Sequence, residues 1–187
     1  MAGALVVIVI GVSGSGKSTV GRALAEALSV PFLDGDELHT EANVAKMATG
    51  HPLDDEDRLP WLASLAARVG EMAATEGGVI ACSALKRKYR DALLAAAPTV
   101  RFLQLAVDEE HARERVAGRV DHFMPAALVE SQFYEYEPLQ RGEPGLIVDA
   151  MRELADKIEA FEEYLSSPVR RSSEGDDRDR SARLDRD

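Results

Sequence analysis

Nine residues, Gly11-Val12-Ser13-Gly14-Ser15-Gly16-Lys17-Ser18-Thr19, carry the strongest chemical signal in this chain. They have the form Gly-x-x-x-x-Gly-Lys-Ser directly after an apolar run, the strand–loop–helix setting of a phosphate-binding P-loop. Glycines let the backbone curl so that successive N–H groups converge on phosphate oxygens. Lys17 is placed to reach the β- and γ-phosphates of a nucleotide, and the Ser18 hydroxyl to take a magnesium position. A helix opening near Lys17 adds the positive end of its dipole to the same anion site. A chance match in a chain this long is roughly a 1% event or less, so nucleotide binding is the starting point.

Four further segments carry residue types suited to chemistry. Asp34-Gly35-Asp36 follows the second apolar run. Two carboxylates that close repel unless a cation and a proton donor share them. Asp34 is expected to hold a magnesium-bound water, and Asp36 to accept a hydrogen bond from a substrate hydroxyl. An Asx-turn opening a helix asks for the same residues. In the acidic stretch 54–57 the carboxylates favour a helix N-terminus, whereas the cation of Arg58 does not. Its parallel donors suit a carboxylate or phosphate ligand. Trp61, next on that helix, is expected to pack.

The third segment, 82–91, gathers Ser83, Lys86, Arg87, Lys88 and Arg90 in an otherwise acidic chain. Ser83 and Lys86 are placed to orient an anionic or polyhydroxy substrate, and Arg87 and Lys88 are expected to be solvated helix charges. In the fourth, Arg115 and Arg119 stand four apart on one helical face. Two such cations are destabilising without an anion between them, and a mobile lid over a polyphosphate supplies one.

The elements that must position these groups alternate. Short apolar or β-branched runs at 5–10, 30–33, 79–82, 100–107 and 146–148 read as strands. Helical spacing lies between them: Val20, Leu24 and Leu28; then Leu62, Leu65, Val69 and Met72, with Pro60 in the first turn; and finally Leu154, Ile158, Phe161 and Leu165. Alternation of this kind predicts an α/β fold, a parallel sheet covered on both faces. Ligands then collect beyond the carboxyl ends of the strands, where all of these loops fall.

With 187 residues the chain is sized for one domain. Its formal net charge of −11 disfavours nucleic acid as a partner. The single cysteine, Cys82, excludes an internal disulfide and reads as a buried thiol. No secretory leader pattern opens the chain, and the apolar stretch near the start is too short to span a bilayer, so a cytoplasmic protein without membrane contact is expected. Residues 1–165 are assigned to the domain, with a lid over roughly 113–140. Residues 166–187, rich in Arg, Asp, Glu and Ser, are read as a disordered tail.

Together, GVSGSGKST, FLDGDELH, ANVAKMATGHPLDDEDRLPWL, CSALKRKYRD and RVAGRVDHFMPAALVESQF resemble the bacterial gluconokinase family of P-loop small-molecule kinases. The resemblance implies a three-layer fold with a five-stranded parallel core and a mobile lid, as in nucleoside monophosphate and shikimate kinases. It implies ATP-dependent phosphorylation of D-gluconate at the C6 hydroxyl, giving 6-phospho-D-gluconate and ADP with Mg2+, in a homodimer. Carried onto this sequence, the ATP-binding set is Gly11, Ser13, Gly14, Ser15, Gly16, Lys17, Ser18, Thr19, Arg115 and Arg119. Ser18 and Asp34 are the metal-side residues. Asp36 faces the attacking hydroxyl and Arg58 the substrate carboxylate, while His39, Ser83, Lys86, His122 and Gln132 are further candidates for the sugar acid. Lys17, Asp36 and Arg119 would carry catalysis. A shikimate or nucleoside monophosphate kinase remains an alternative on the Asp34–Asp36–Arg58 pattern, and the 83–86 and 122–124 segments favour gluconate. A non-catalytic nucleotide-binding module is the rival of another class, and no Asn-Lys-x-Asp guanine signature is present.

Overall fold

The computed structural model describes residues 3–118 and 127–167. Five strands run parallel: β1 (Val6–Ile10), β2 (Phe32–Asp34), β3 (Gly78–Ala81), β4 (Val100–Ala106) and β5 (Gly145–Asp149). Their order across the sheet is β2-β3-β1-β4-β5. β1 is central, with Val6 in register with Gly78 on one side and Val100 on the other. Each strand matches an apolar run of the sequence to within two residues at either end.

The helices are α1 (Lys17–Leu28), α2 (Glu41–Ala48), α3 (Asp55–Ala74), α4 (Arg87–Ala96), α5 (Glu109–Ala117), α6 (Ala127–Glu135) and α7 (Leu154–Ser166). Side chains alternate across a strand, so β1 divides the core in two. Val6, Ile8 and Ile10 pack with Trp61, Leu65 and Val69 of α3 and Leu93 of α4. Val7 and Val9 pack with Val20 and Leu24 of α1 and Phe161 of α7. The expected three layers are thus present, and β1 is apolar at every position because both faces are covered.

Two boundaries differ from expectation. Asp54 caps α3, its side chain accepting from Asp57 N while the Asp57 carboxylate accepts from Asp54 N. This reciprocal capping box starts the helix at Asp55, so Pro60 falls inside the helix rather than in its first turn. The carbonyl left without its amide is that of Glu56, an exposed residue, so the missing bond falls on the solvent side of the helix. At the other end Ser166 closes α7, with Ser167 as its cap, while the rest of the expected tail lies outside the described residues.

Cys82 is fully buried behind β3, and burial pushes its thiol up to about 12. The native protein is expected to resist alkylation by iodoacetamide and to react once unfolded in guanidinium, as read by intact mass. Rapid native modification would contradict the packing.

Candidate active site

β1 ends at the glycine-rich loop, and α1 begins inside it. Gly14 adopts φ +84°, and a Cβ there would lie 2.4 Å from the Ala112 carbonyl oxygen, so α5 presses directly on the loop. The first turn of α1 holds no acidic residue, whereas α3 opens on three and α5 on two. An acid would stabilise the helix there but would repel a phosphate. Ser15 Oγ is buried inside the loop with no hydrogen-bond partner among the described residues. That orphaned donor, together with the curled backbone, fits an anionic ligand. Lys17 Nζ donates to the Val12 carbonyl at 3.0 Å across the loop.

The second loop is pinned from two sides. A Cβ on Gly35 would sit 2.8 Å from both the Ala81 carbonyl oxygen and Cys82 Cβ, and Trp61 Nε1 donates to the Gly35 carbonyl at 2.8 Å. Trp61 therefore packs as expected and also fixes the loop carrying both aspartates. Asp34 makes the Asx-turn considered for it and also touches Ser18. Oδ1 accepts from Asp36 N at 3.2 Å as an Asx cap, and Oδ2 accepts from the Ser18 hydroxyl at 2.7 Å. The proposed metal-side pair is thus in contact. Among the described residues no group of three His, Cys, Asp or Glu side chains forms a cage. One carboxylate and one hydroxyl beside a phosphate cradle fit magnesium, which keeps waters and substrate oxygens as its other ligands.

One cleft joins these loops. Ser13, Lys17, Asp36, His39, Arg58, Trp61, Ser83 and Gln132 line it, with Met47, Pro52, Leu53, Leu128 and Ser131. His39 stacks on Trp61, ring centroids 4.9 Å apart and planes within 3°. Burial lowers its pKa against the pull of Asp36, so the ring is neutral at pH 7. Its Nδ1 is buried without a partner among the described residues. Gln132 Oε1 accepts from Ser13 N at 2.7 Å, tying α6 to the glycine loop. Arg115 Nη1 reaches the Gly14 carbonyl at 3.4 Å, which places its charge against that loop. Thr19 lies exposed in the first turn of α1. Arg119 and His122 lie outside the described residues.

Lys86 departs from its expected place. It is absent from the cleft lining, and its ammonium pairs with Asp55 at 3.0 Å and Glu135 at 3.1 Å. Lys88 is not merely solvated either, since it pairs with Asp55. Arg87 donates to Gln140 Oε1 at 2.9 Å. Lys86 and Lys88 find their carboxylates on other helices, and spacing along the sequence does not show which. Glu135 and Tyr89, the partners of Arg58, had no local signal: they stand 77 and 31 residues from it. The hydrogen bonds to Tyr89 and Glu135 hold the Arg58 pKa above its usual value although burial works the other way.

Residues 6–139 match the model of an AAA domain family. The thermosensitive gluconokinase of Escherichia coli is 45% identical over 154 residues, covering 81% of this chain and 82% of that protein. An unliganded sugar kinase from Janibacter superposes with a TM-score of 0.79 at 40% identity, covering 87% of this chain and 94% of that one. A gluconokinase from Sinorhizobium meliloti gives 0.75 at 39%, covering 88% and 97%. With the glycine loop, Asp36 and Arg58 meeting in one cleft, and with that identity over four-fifths of both chains, this protein belongs to the gluconokinase family.

Proposed function

We propose that the protein transfers the γ-phosphoryl group of ATP to the C6 hydroxyl of D-gluconate, releasing ADP and 6-phospho-D-gluconate. The observation that carries this reading is that Lys17, Asp36 and Arg58, from three separate segments of the chain, line a single cleft. Family membership supplies the acceptor, since the relatives are named for gluconate.

The reaction forms a bond between the acceptor oxygen and the γ-phosphorus, breaks the bond from that phosphorus to the bridging oxygen so that ADP leaves in line, and releases the hydroxyl proton by way of Asp36 to solvent. Its transition state is loose, and alignment and charge stabilisation outweigh deprotonation. The glycine loop and Lys17 hold the phosphates, and Arg115 and Arg119 add charge to them. Asp36 accepts the hydroxyl hydrogen bond and orients the attacking oxygen. Ser18 and Asp34 would hold Mg2+, which when bound neutralises phosphate charge. Arg58 takes the carboxylate. Neutral His39, Ser83 and Gln132 in the cleft meet the polyol hydroxyls, a role the family likeness also suggests for His122. Among the described residues no helix is long and apolar enough to cross a membrane. The family likeness also supports a cytoplasmic homodimer, to be read by light scattering on the purified protein.

ADP release in a coupled assay tests the reading. Gluconate should be turned over while shikimate and nucleoside monophosphates are not, and turnover of the latter alone would overturn it. Arg58→Ala is expected to raise the gluconate KM by about 10- to 100-fold, the loss of a charge-assisted pair, with the ATP KM unchanged. A change confined to the ATP KM would move Arg58 to the nucleotide.

A further inference from the structure

Arg58 is gripped at one end of its guanidinium. Nη1 donates to Tyr89 Oη at 3.1 Å and to Glu135 Oε2 at 2.7 Å. A terminal guanidinium nitrogen carries two hydrogens, so these bonds use both. Nε and Nη2 make no hydrogen bond to any described residue. They form the side-on edge that receives a carboxylate through two parallel bonds.

The two partners stand outside the cleft that Arg58 lines. Tyr89 comes from α4, and Glu135 is the last residue of α6. The side chains of Arg58 and Glu135 are 12% and 22% exposed, so their contact is only weakly screened. Around the Tyr89 ring, Arg58, Lys86 and Lys88 all place their charge within 5.8 Å of the centroid. Three cations in that space repel one another. Glu135 answers two of them, Arg58 and Lys86, while Asp55 takes Lys86, Lys88 and the Tyr89 hydroxyl. Removing Glu135 leaves Arg58 with one neutral acceptor, and leaves Lys86 with only Asp55, which it shares with Lys88.

We infer that Glu135, together with Tyr89, is a positioning residue for substrate recognition: it fixes the Nη1 end of Arg58 so that the Nε–Nη2 edge meets the sugar-acid carboxylate already oriented. The inference rests on the assignment of that carboxylate to Arg58. Arginine loses much rotamer freedom when it binds a ligand, and a side chain ordered beforehand avoids that cost at the moment of binding. The effect belongs in substrate affinity rather than in the chemical step.

Steady-state kinetics of the full chain test this. Glu135→Ala is expected to raise the gluconate KM about tenfold, with kcat and the ATP KM within about twofold of wild type. Glu135→Gln keeps an acceptor oxygen and should recover most of the loss. In the Arg58→Ala background, Glu135→Ala should add nothing further, since its route to the substrate is gone. Melting curves of each variant establish folding. If Glu135→Ala does not fold, Tyr89→Phe removes the other Nη1 acceptor and must give the same split. A gluconate KM that is unchanged or lowered in Glu135→Ala overturns the inference, as does full additivity with Arg58→Ala. A silent Arg58→Ala instead fails the carboxylate assignment, and a KM effect of Glu135→Ala on that background then overturns the positioning role as well.

Discussion

Lys17→Ala is expected to lower kcat by roughly 10²-fold or more while the protein stays folded, measured as gluconate-dependent ADP release beside a melting curve. Lys17 opens α1 at the mouth of the glycine loop, and its ammonium already lies 3.0 Å from the Val12 carbonyl within that loop. Negative charge migrates toward the bridging and terminal oxygens as the γ-phosphoryl leaves. A cation fixed there gains more in the transition state than in the ground state, so the loss falls on kcat more than on KM. Sheet and core do not depend on this side chain, because the buried residues of α1 are Val20, Gly21, Leu24 and Ala25 on another face. An unchanged kcat would remove the glycine loop from the chemistry, and with it the assignment of this cleft.

The parts of this molecule that could be read in the sequence are those whose signal is local. β1 is five consecutive apolar residues, and the loop after it has a spacing that permits few other meanings. Asp34 and Asp36 are two positions apart, so their shared loop was visible, although the contact of Asp34 with Ser18 needed coordinates. Arg58 stood out because a cation early in a helix opposes the dipole. What holds Arg58 did not stand out. Tyr89 and Glu135 reach it from other elements, and a carboxylate at the end of α6 looks like any solvated glutamate until α3, α4 and α6 converge. Lys86 shows the same limit from the other side. Its charge suited a substrate anion, yet its ammonium pairs with Asp55 and Glu135 and does not line the cleft. Charge type is encoded locally, whereas its partner is decided by packing.

Arg90→Ala is expected to destabilise the fold by about 3–5 kcal/mol in denaturant unfolding, the cost of stranding a buried charge. Arg90 is fully buried, and Glu143 grips it through Nε at 2.6 Å and Nη2 at 2.9 Å. Its Nη1 also donates one hydrogen to the Glu137 carbonyl and shares the other between those of Ala84 and Leu85. Ala84 holds φ +35°, a left-handed conformation that costs a non-glycine residue about 1–3 kcal/mol. Arg90 thus braces the turn that follows Ser83 and ties it to the chain beyond α6. Replacing both partners, as in Arg90→Met with Glu143→Leu, should recover part of the loss by removing the stranded carboxylate, though the carbonyls stay unmet. Burial acts to raise the Glu143 pKa, but the Arg90 bond outweighs it, and the carboxyl lies below its ordinary value of 4.5. A lowered acid pKa means that the pair's contribution is complete above that value and fades as the pH falls through the folded-state value. The stability gap between wild type and Arg90→Ala should accordingly be full at neutral pH and shrink in strong acid. A gap that is small at pH 7, or that widens on acidification, would show that the clamp contributes little to holding the Ser83 turn in place.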